Sequence, residues 1–188
     1  MTPAEVGRAF VAVRPPDAVL DAVEERLAPA RTVMVGPRWA GRDQWHVTLQ
    51  FLGPLATVAP VVEALTGAVA GLPPFTFRLG GSGAFPKPGR ARVVWIGAAE
   101  GASAMAGLAG SVTGALAPLG CGAEARPFRS HLTVARMRDP DDVTPVLGAL
   151  GSEPVGEAWT VAEVVLYQSH LSPSGSRYSV LAQLPLPG

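Results

Sequence analysis

With 188 residues, 48% apolar and 16% charged, the chain has the composition of an ordered globular protein, long enough for one substantial core or two small lobes. Its 15 basic and 15 acidic residues cancel, which excludes broad electrostatic attraction to nucleic acid; such a substrate would have to be held locally. The single cysteine, Cys121, excludes an intrachain disulfide framework, fits a reducing compartment and reads as a small buried apolar residue. Met1 to Val13 lacks the basic region and long apolar run of a signal peptide. Prolines, glycines and charges interrupt every apolar stretch, so no membrane span is expected and the expected location is cytoplasmic.

Ala9-Phe10-Val11-Ala12-Val13 is apolar at both parities and predicts a central strand, ended by Pro15-Pro16. Asp17 can cap the helix that follows, in which Leu20, Val23 and Leu27 share a face and Pro29 marks the end. Arg31 to Gln44 is polar and irregular. Trp45 then opens a strand that reaches about Leu52, before Gly53-Pro54. A helix over 57–70 buries Val58, Val61, Val62, Leu65 and Val69, with Pro60 tolerated in its first turn. Phe75 to Leu79 alternates as a strand, Gly80 to Gly89 reads as a loop, and Arg92 to Ile96 returns as the second arm of a hairpin. Ala102 to Leu119 predicts a weakly polar helix ended by Gly120-Cys121-Gly122. A further strand covers 131–135, and 140–150 holds a short helix or helical turn. Trp159 to Tyr167 reads as one strong strand, Ser172-Pro173-Ser174-Gly175 as a turn, and Arg177 to Leu184 as the last strand, hairpinned with its predecessor.

Two of these strands begin with the same word. His46-Val47-Thr48-Leu49 recurs as His131-Leu132-Thr133-Val134, and two of the three histidines are used in it. Period 2 puts histidine and threonine on one face and the aliphatic pair on the other. The element order and the repeat together predict an α+β protein in a single domain, 1–188. It would be a duplicated two-lobed fold with two mostly antiparallel sheets around a central cleft and helices on the outer faces. The lobes are pseudo-symmetric, with interleaving in sequence left open, and each contributes one His-x-Thr strand to the cleft.

Two histidines facing one cleft suit acid-base work near neutral pH: one takes a proton from an attacking oxygen, the other gives one to a leaving oxygen. Threonine hydroxyls beside them can hold non-bridging oxygens, and nothing supplies a covalent nucleophile with an oriented triad. Phosphorus is the natural target of such a quartet. A three-histidine metal site from His46, His131 and His170 is disfavoured, because there is no His-x-His, no H-E-x-x-H and no acidic residue next to either word; His170 reads as a solvated loop residue. Neither a metal nor a cofactor is expected. Arg136 could pair with a phosphate oxygen, but strict alternation puts it on the wrong face, whereas Gln50 and Arg129 have the parity of the cleft. Phe85 and Tyr167 are candidate aromatic contacts for a base or ribose. The Gly80-Gly81-Ser82-Gly83 run lacks the features of a P-loop.

His46-Val47-Thr48-Leu49-Gln50-Phe51-Leu52-Gly53 and Arg126-Pro127-Phe128-Arg129-Ser130-His131-Leu132-Thr133-Val134-Ala135-Arg136 resemble the paired signatures of the 2H phosphoesterase superfamily. Within it they are most similar to the bacterial and archaeal RNA 2',3'-cyclic phosphodiesterase branch, also called 2'-5' RNA ligase, and the similarity extends over nearly the whole chain. The resemblance implies metal-independent hydrolysis of an RNA 2',3'-cyclic phosphate to a 2'-phosphate, with a weak reverse joining of ends through a 2'-5' bond. It implies His46 as the acid at the departing 3'-oxygen and His131 as the base that activates water. Thr48, Thr133 and Arg136 would hold phosphate oxygens. Gln50 stands where many relatives carry lysine, and Ser130 replaces a frequent proline. The implied partners are RNA ends or nucleotides carrying a 2',3'-cyclic phosphate, with no obligate protein partner. Two alternatives stand beside this: a cyclic phosphodiesterase for small nucleotides or an ADP-ribose cyclic phosphate, and a non-catalytic RNA-end binding protein.

Overall fold

The computed structural model describes residues 6–121, 127–172 and 175–188. In chain order the elements are β1 (Val6–Val13), α1 (Asp17–Ala30), β2 (Arg38–Trp39), β3 (Val47–Leu55), α2 (Ala59–Val69), β4 (Phe75–Phe85), β5 (Ala91–Glu100), α3 (Ala102–Leu116), β6 (Leu132–Asp141), α4 (Thr144–Leu150), β7 (Pro154–Val161), β8 (Glu163–Ser172) and β9 (Gly175–Pro185). The strands follow the path β7-β4-β5-β6-β3-β1-β8-β9, antiparallel throughout, with the short β2 beside β6. The fold is α+β, with four α-helices among the described residues and a curled antiparallel sheet.

The sheet path consists of two four-stranded halves. β7, β4, β5 and β6 form one, and β3, β1, β8 and β9 the other; among the described residues, Val47 opposite Leu132 is the one strand pair joining them. Both partners are fully buried. Helices exchange between the halves: α1 follows β1 yet packs against β7 and α4, while α3 follows β5 and packs against α2 and β3.

β1 is central, as its two apolar parities predict. Ala9, Val11 and Val13 enter the main core beneath the helices, while Phe10 and Ala12 join Val165, Tyr167 and the half-buried Tyr178 in a second cluster on the opposite face. In α1, Leu20, Val23 and Leu27 are fully buried at helical spacing, and Pro29 lies inside the last turn. The hairpins β4–β5 and β8–β9 form as expected.

Several elements depart from the sequence reading. Gly80 to Phe85 is strand, not loop. Gly83 is required because the Trp95 indole lies across β4, where a Cβ would sit 2.2 Å from Trp95 Cζ2; Gly80 leaves room for the Ala99 Cβ, 2.7 Å from where its own would stand, and Gly81 takes a φ of +67°. The expected strand from Trp159 to Tyr167 is two strands that part at Ala162 and pair with opposite halves, β7 with β4 and β8 with β1 and β9. No glycine or proline marks that break, so periodicity could not find it. β8 continues to Ser172 and thus contains His170. Pro140 belongs to β6, and α4 starts only at Thr144. Arg126 and Gly122 of the motifs quoted above, and Pro173 and Ser174 of the expected turn, lie outside the described residues. α3 and its 3-10 extension, Ala102–Leu119, do have the length and mean hydropathy (1.3) of a membrane span, contrary to expectation. Glycine and serine break the run to the eye but lower the mean little. The stripe Met105, Leu108, Ala109, Val112 and Leu116 is buried in the main core, as in a core helix.

Candidate active site

The join between the two halves brings the repeated words together. Val47 and Leu132 immediately follow the two histidines, and their side chains point into the core. Neighbouring positions therefore project to the other face, with position 46 set toward 133 and position 48 toward 131 by the antiparallel register. His46, Thr48, His131 and Thr133 are all half-buried and all border one cleft of about 1130 Å³.

Each imidazole is fixed from behind. His131 Nδ1 lies 2.7 Å from the carbonyl oxygen of Arg129. His46 makes the matching backbone hydrogen bond to Gln44, also two residues earlier. A donating Nδ1–H leaves Nε2 as the lone-pair nitrogen of the neutral ring. The Phe10 ring lies 4.7 Å from that of His46, and Tyr178 meets it edge-on at 5.3 Å. Phe85 meets His131 edge-on at 5.1 Å, and Trp95 lies 6.1 Å away. Burial among these aromatics pushes the His46 pKa down from 6.5 to about 4. The Gln44 carbonyl acts against that, and the nearby Arg136 and His131 charges add to it.

Matching β-bulges explain the rest of the lining. Val11 and Ala12 oppose Gln50 and Thr48, so Leu49 is the extra residue; Val94 and Trp95 oppose Ala135 and Thr133, so Val134 is. Both bulges sit three residues after their histidine, and both invert the alternation beyond it. Two consecutive residues are then buried in each word, Leu49-Gln50 and Val134-Ala135. The next residues, Phe51 and Arg136, emerge into the cleft. Arg136 thus shares the face that strict parity denied it. Gln50, which parity favoured, is 4% exposed and donates from Nε2 to the Cys121 carbonyl at 2.9 Å, though it still borders the cleft. Cys121 is buried, as expected.

Arg129 borders the cleft with its guanidinium carbon 4.4 Å over the Trp95 ring. Phe85 lines the cleft, but Tyr167 is 8% exposed and stands behind Phe10, against which it stacks. His170 is exposed and away from the cleft, with Nε2 2.8 Å from Ser179 Oγ. Among the described residues, no three His, Cys, Asp or Glu side chains gather as metal ligands. Sequence reasoning missed Phe10, Phe51, Trp95, Tyr178 and Arg38 as neighbours of the site. The signal available was parity on β1, β5 and β9 once those strands are paired.

Charge is segregated although the total is zero. Arg8, Arg38, Arg129 and Arg136 border the cleft, and no Asp or Glu does among the described residues. Asp17, Asp21 and Glu24 of α1 instead pair with Arg14, Arg42 and Arg31. Arg38 and Arg136 face each other across β2 and β6. Like charges directly opposite each other are unfavourable unless an anion lies between them.

The family model described as "2'-5' RNA ligase superfamily" matches residues 10–173. The chain belongs to the 2'-5' RNA ligase superfamily. It is 36% identical to an Archaeoglobus fulgidus RNA 2',3'-cyclic phosphodiesterase, over 93% of this chain and 97% of that one. It is 35% identical to a Thermus thermophilus protein of the same name, over 96% and 91%. A Geobacillus stearothermophilus relative of that name is 31% identical over 95% of this chain, which spans only 57% of that longer protein. Among solved structures, TT0787 of Thermus thermophilus superposes with a TM-score of 0.79 at 28% identity, covering 96% of this chain and 98% of that one. E. coli LigT complexed with 3'-AMP gives 0.78 at 26% identity, covering 97% and 99%. Within this superfamily fold, both words fall on the strands that meet at the central join.

Proposed function

We propose that this chain is an RNA 2',3'-cyclic phosphodiesterase, a hydrolase that opens the cyclic phosphate at an RNA end to a 2'-phosphate. The observation that carries the reading is the quartet of His46, Thr48, His131 and Thr133, set face to face at the Val47–Leu132 join. His131 takes a proton from water as its oxygen attacks phosphorus. The P–O3' bond breaks, and His46 delivers a proton to the departing 3'-oxygen. Thr48 and Thr133 donate to the non-bridging oxygens, and Arg136 offsets their charge. With an RNA 5'-hydroxyl in place of water, the same transfers join ends weakly through a 2'-5' bond, the P–O5' bond forming as P–O3' breaks. The names of the relatives support the reaction, and the anion-favouring cleft supports the substrate.

His46 must be protonated to act as the acid, yet its pKa of about 4 keeps it neutral in the free protein near pH 7. The substrate itself supplies the remedy. A phosphate anion at ~4 Å, at an effective dielectric constant of ~20, favours the imidazolium by about 4 kcal/mol, or roughly 3 pH units. Binding then lifts His46 to near neutrality and draws in a proton.

The test is to incubate metal-stripped protein with an oligonucleotide ending in a 2',3'-cyclic phosphate and to assign the product by phosphorus NMR. A 2'-phosphate supports the reaction, its regiochemistry and its metal independence. Bound but unchanged oligonucleotide favours the binding-protein alternative, and a 3'-phosphate product refutes the assigned leaving group.

A further inference from the structure

Beside the cleft, on the His131 side, lies a second cavity of about 350 Å³ that shares Ala106, Phe128 and Arg129 with it. Glycine opens it: Gly97 borders it, and a Cβ there would press on Trp95 Cζ3 at 3.1 Å and on the Gly80 carbonyl at 3.2 Å. Its side-chain polar groups all suit an anion. They are the Ser130 hydroxyl and the Arg129 guanidinium, beside Ser82, whose hydroxyl donates to the Leu147 carbonyl at 3.4 Å, and no Asp or Glu borders it among the described residues. Ser130 is 7% exposed, an unusual place for a polar side chain in a chain this apolar. Trp95, 4% exposed, stands between this cavity and His131, and its buried Nε1–H has no acceptor. The N-terminal part of α3 reaches the rim through Ala102 and Ala106, and its first turn has no side-chain cap and no acidic residue.

Arg129 ties this cavity to the reacting centre. Its carbonyl holds His131 Nδ1 at 2.7 Å while its side chain lies over Trp95, between the two spaces. We infer that the second cavity is a subsite for a second phosphate of the substrate, on the 5' side of the nucleotide whose cyclic phosphate reacts. The inference rests on the proposed function and narrows its substrate class. The enzyme acts on oligonucleotide ends or 5'-phosphorylated nucleotides in preference to a nucleoside cyclic phosphate lacking that second anion. Arg129 makes the charge-assisted contact, and the Ser130 hydroxyl and the α3 amide end complete the shell.

The test compares adenosine 2',3'-cyclic phosphate with the same molecule carrying a 5'-phosphate, as a ratio of kcat/KM values. The wild-type ratio should favour the 5'-phosphorylated probe by about tenfold or more, the size of one charge-assisted contact. In Arg129→Ala the ratio should fall to near one. In Ser82→Asp, which adds a like charge to the cavity without touching Arg129, it should fall below the wild-type value and toward discrimination against the 5'-phosphate. A wild-type ratio of one overturns the subsite and leaves the proposed function standing. So does an Arg129→Ala variant whose two rates fall together, since Arg129 would then act at the reacting phosphate. If the wild type turns over neither probe nor a cyclic-ended oligonucleotide, the proposed function itself fails.

Discussion

His46 makes the protein's stability depend on pH in a way that can be worked from the site. Its ring is packed against Phe10 and Tyr178, and its pKa is held at about 4 rather than 6.5. Between those two values the unfolded chain carries a proton on this ring that the folded chain does not. Stability therefore falls as pH falls through 6.5, and the loss is nearly complete at pH 4. At 1.36 kcal/mol per pH unit, the interval is worth about 3 kcal/mol. The ring keeps an exposed edge on the cleft, so water relieves part of this and the figure is a ceiling. Even half of it is a large share of a typical folding free energy of about 5–15 kcal/mol. The perturbation is His46→Asn, which keeps a polar group of similar bulk but cannot titrate. The assay is urea unfolding followed by circular dichroism, for both proteins at intervals from pH 7.5 to 4. The wild type should lose about 1–3 kcal/mol (roughly a quarter of that by pH 6, most by pH 4.5) that the variant retains. Parallel stability curves would refute the burial argument, and with it the claim that substrate must raise this pKa.

Alanine at either His46 or His131 should abolish turnover of a cyclic-ended oligonucleotide while the far-ultraviolet spectrum stays native; activity retained in both sinks the acid-base pair. Arg136→Ala should raise KM about tenfold or more, with Arg136→Lys recovering part of the loss, as read from initial rates at fixed salt. Gly83→Ala drives a methyl into the Trp95 ring and should cost about 1–3 kcal/mol in thermal melts, with a change in tryptophan emission; an unaltered melt would contradict the close approach. Binding of sulfate at pH 6.5, an anion that does not itself titrate there, should take up protons, seen as a calorimetric heat that varies with buffer ionisation enthalpy, and should not do so in His46→Asn.

Local pattern made the central strand, the helices and the paired words readable. Val11 and Phe10 both had to be buried, and they are, in two different clusters. Helical spacing on α1 named Leu20, Val23 and Leu27 correctly. What stayed hidden was decided by partners distant in sequence. A run of glycines reads as a loop unless Trp95 is known to lie across Gly83 and Ala99 against Gly80. A valine-rich run reads as one strand unless its two ends are known to pair with opposite halves of the sheet. Arg38 sat in a stretch with no periodicity, and only the pairing of β2 with β6 brings it to the cleft.

The two bulges show why the site is more than a duplicated word. Alternation carries His and Thr to the cleft from both strands, but it would also have carried Gln50 and Ala135 there and turned Phe51 and Arg136 inward. An extra residue at Leu49 and at Val134 reverses that choice at the same offset in each copy. The position so exposed is where the halves differ, an aromatic ring on one side and a cation on the other. Symmetric backbone geometry thus places two like imidazoles at one centre, and an asymmetric pair of neighbours sets them in different fields. Arg136 adds to the depression of the His46 pKa. Under the proposed function, an anion that neutralises Arg136 would relax that effect as it binds, so a residue that attracts the phosphate would also help time the proton. Arg136→Ala should therefore raise the free-state pKa of His46 while weakening phosphate binding. A proton NMR titration of His46 reads the first and calorimetry the second. If the pKa stays near 4 in that variant, burial alone sets it and the coupling between cation and acid is absent.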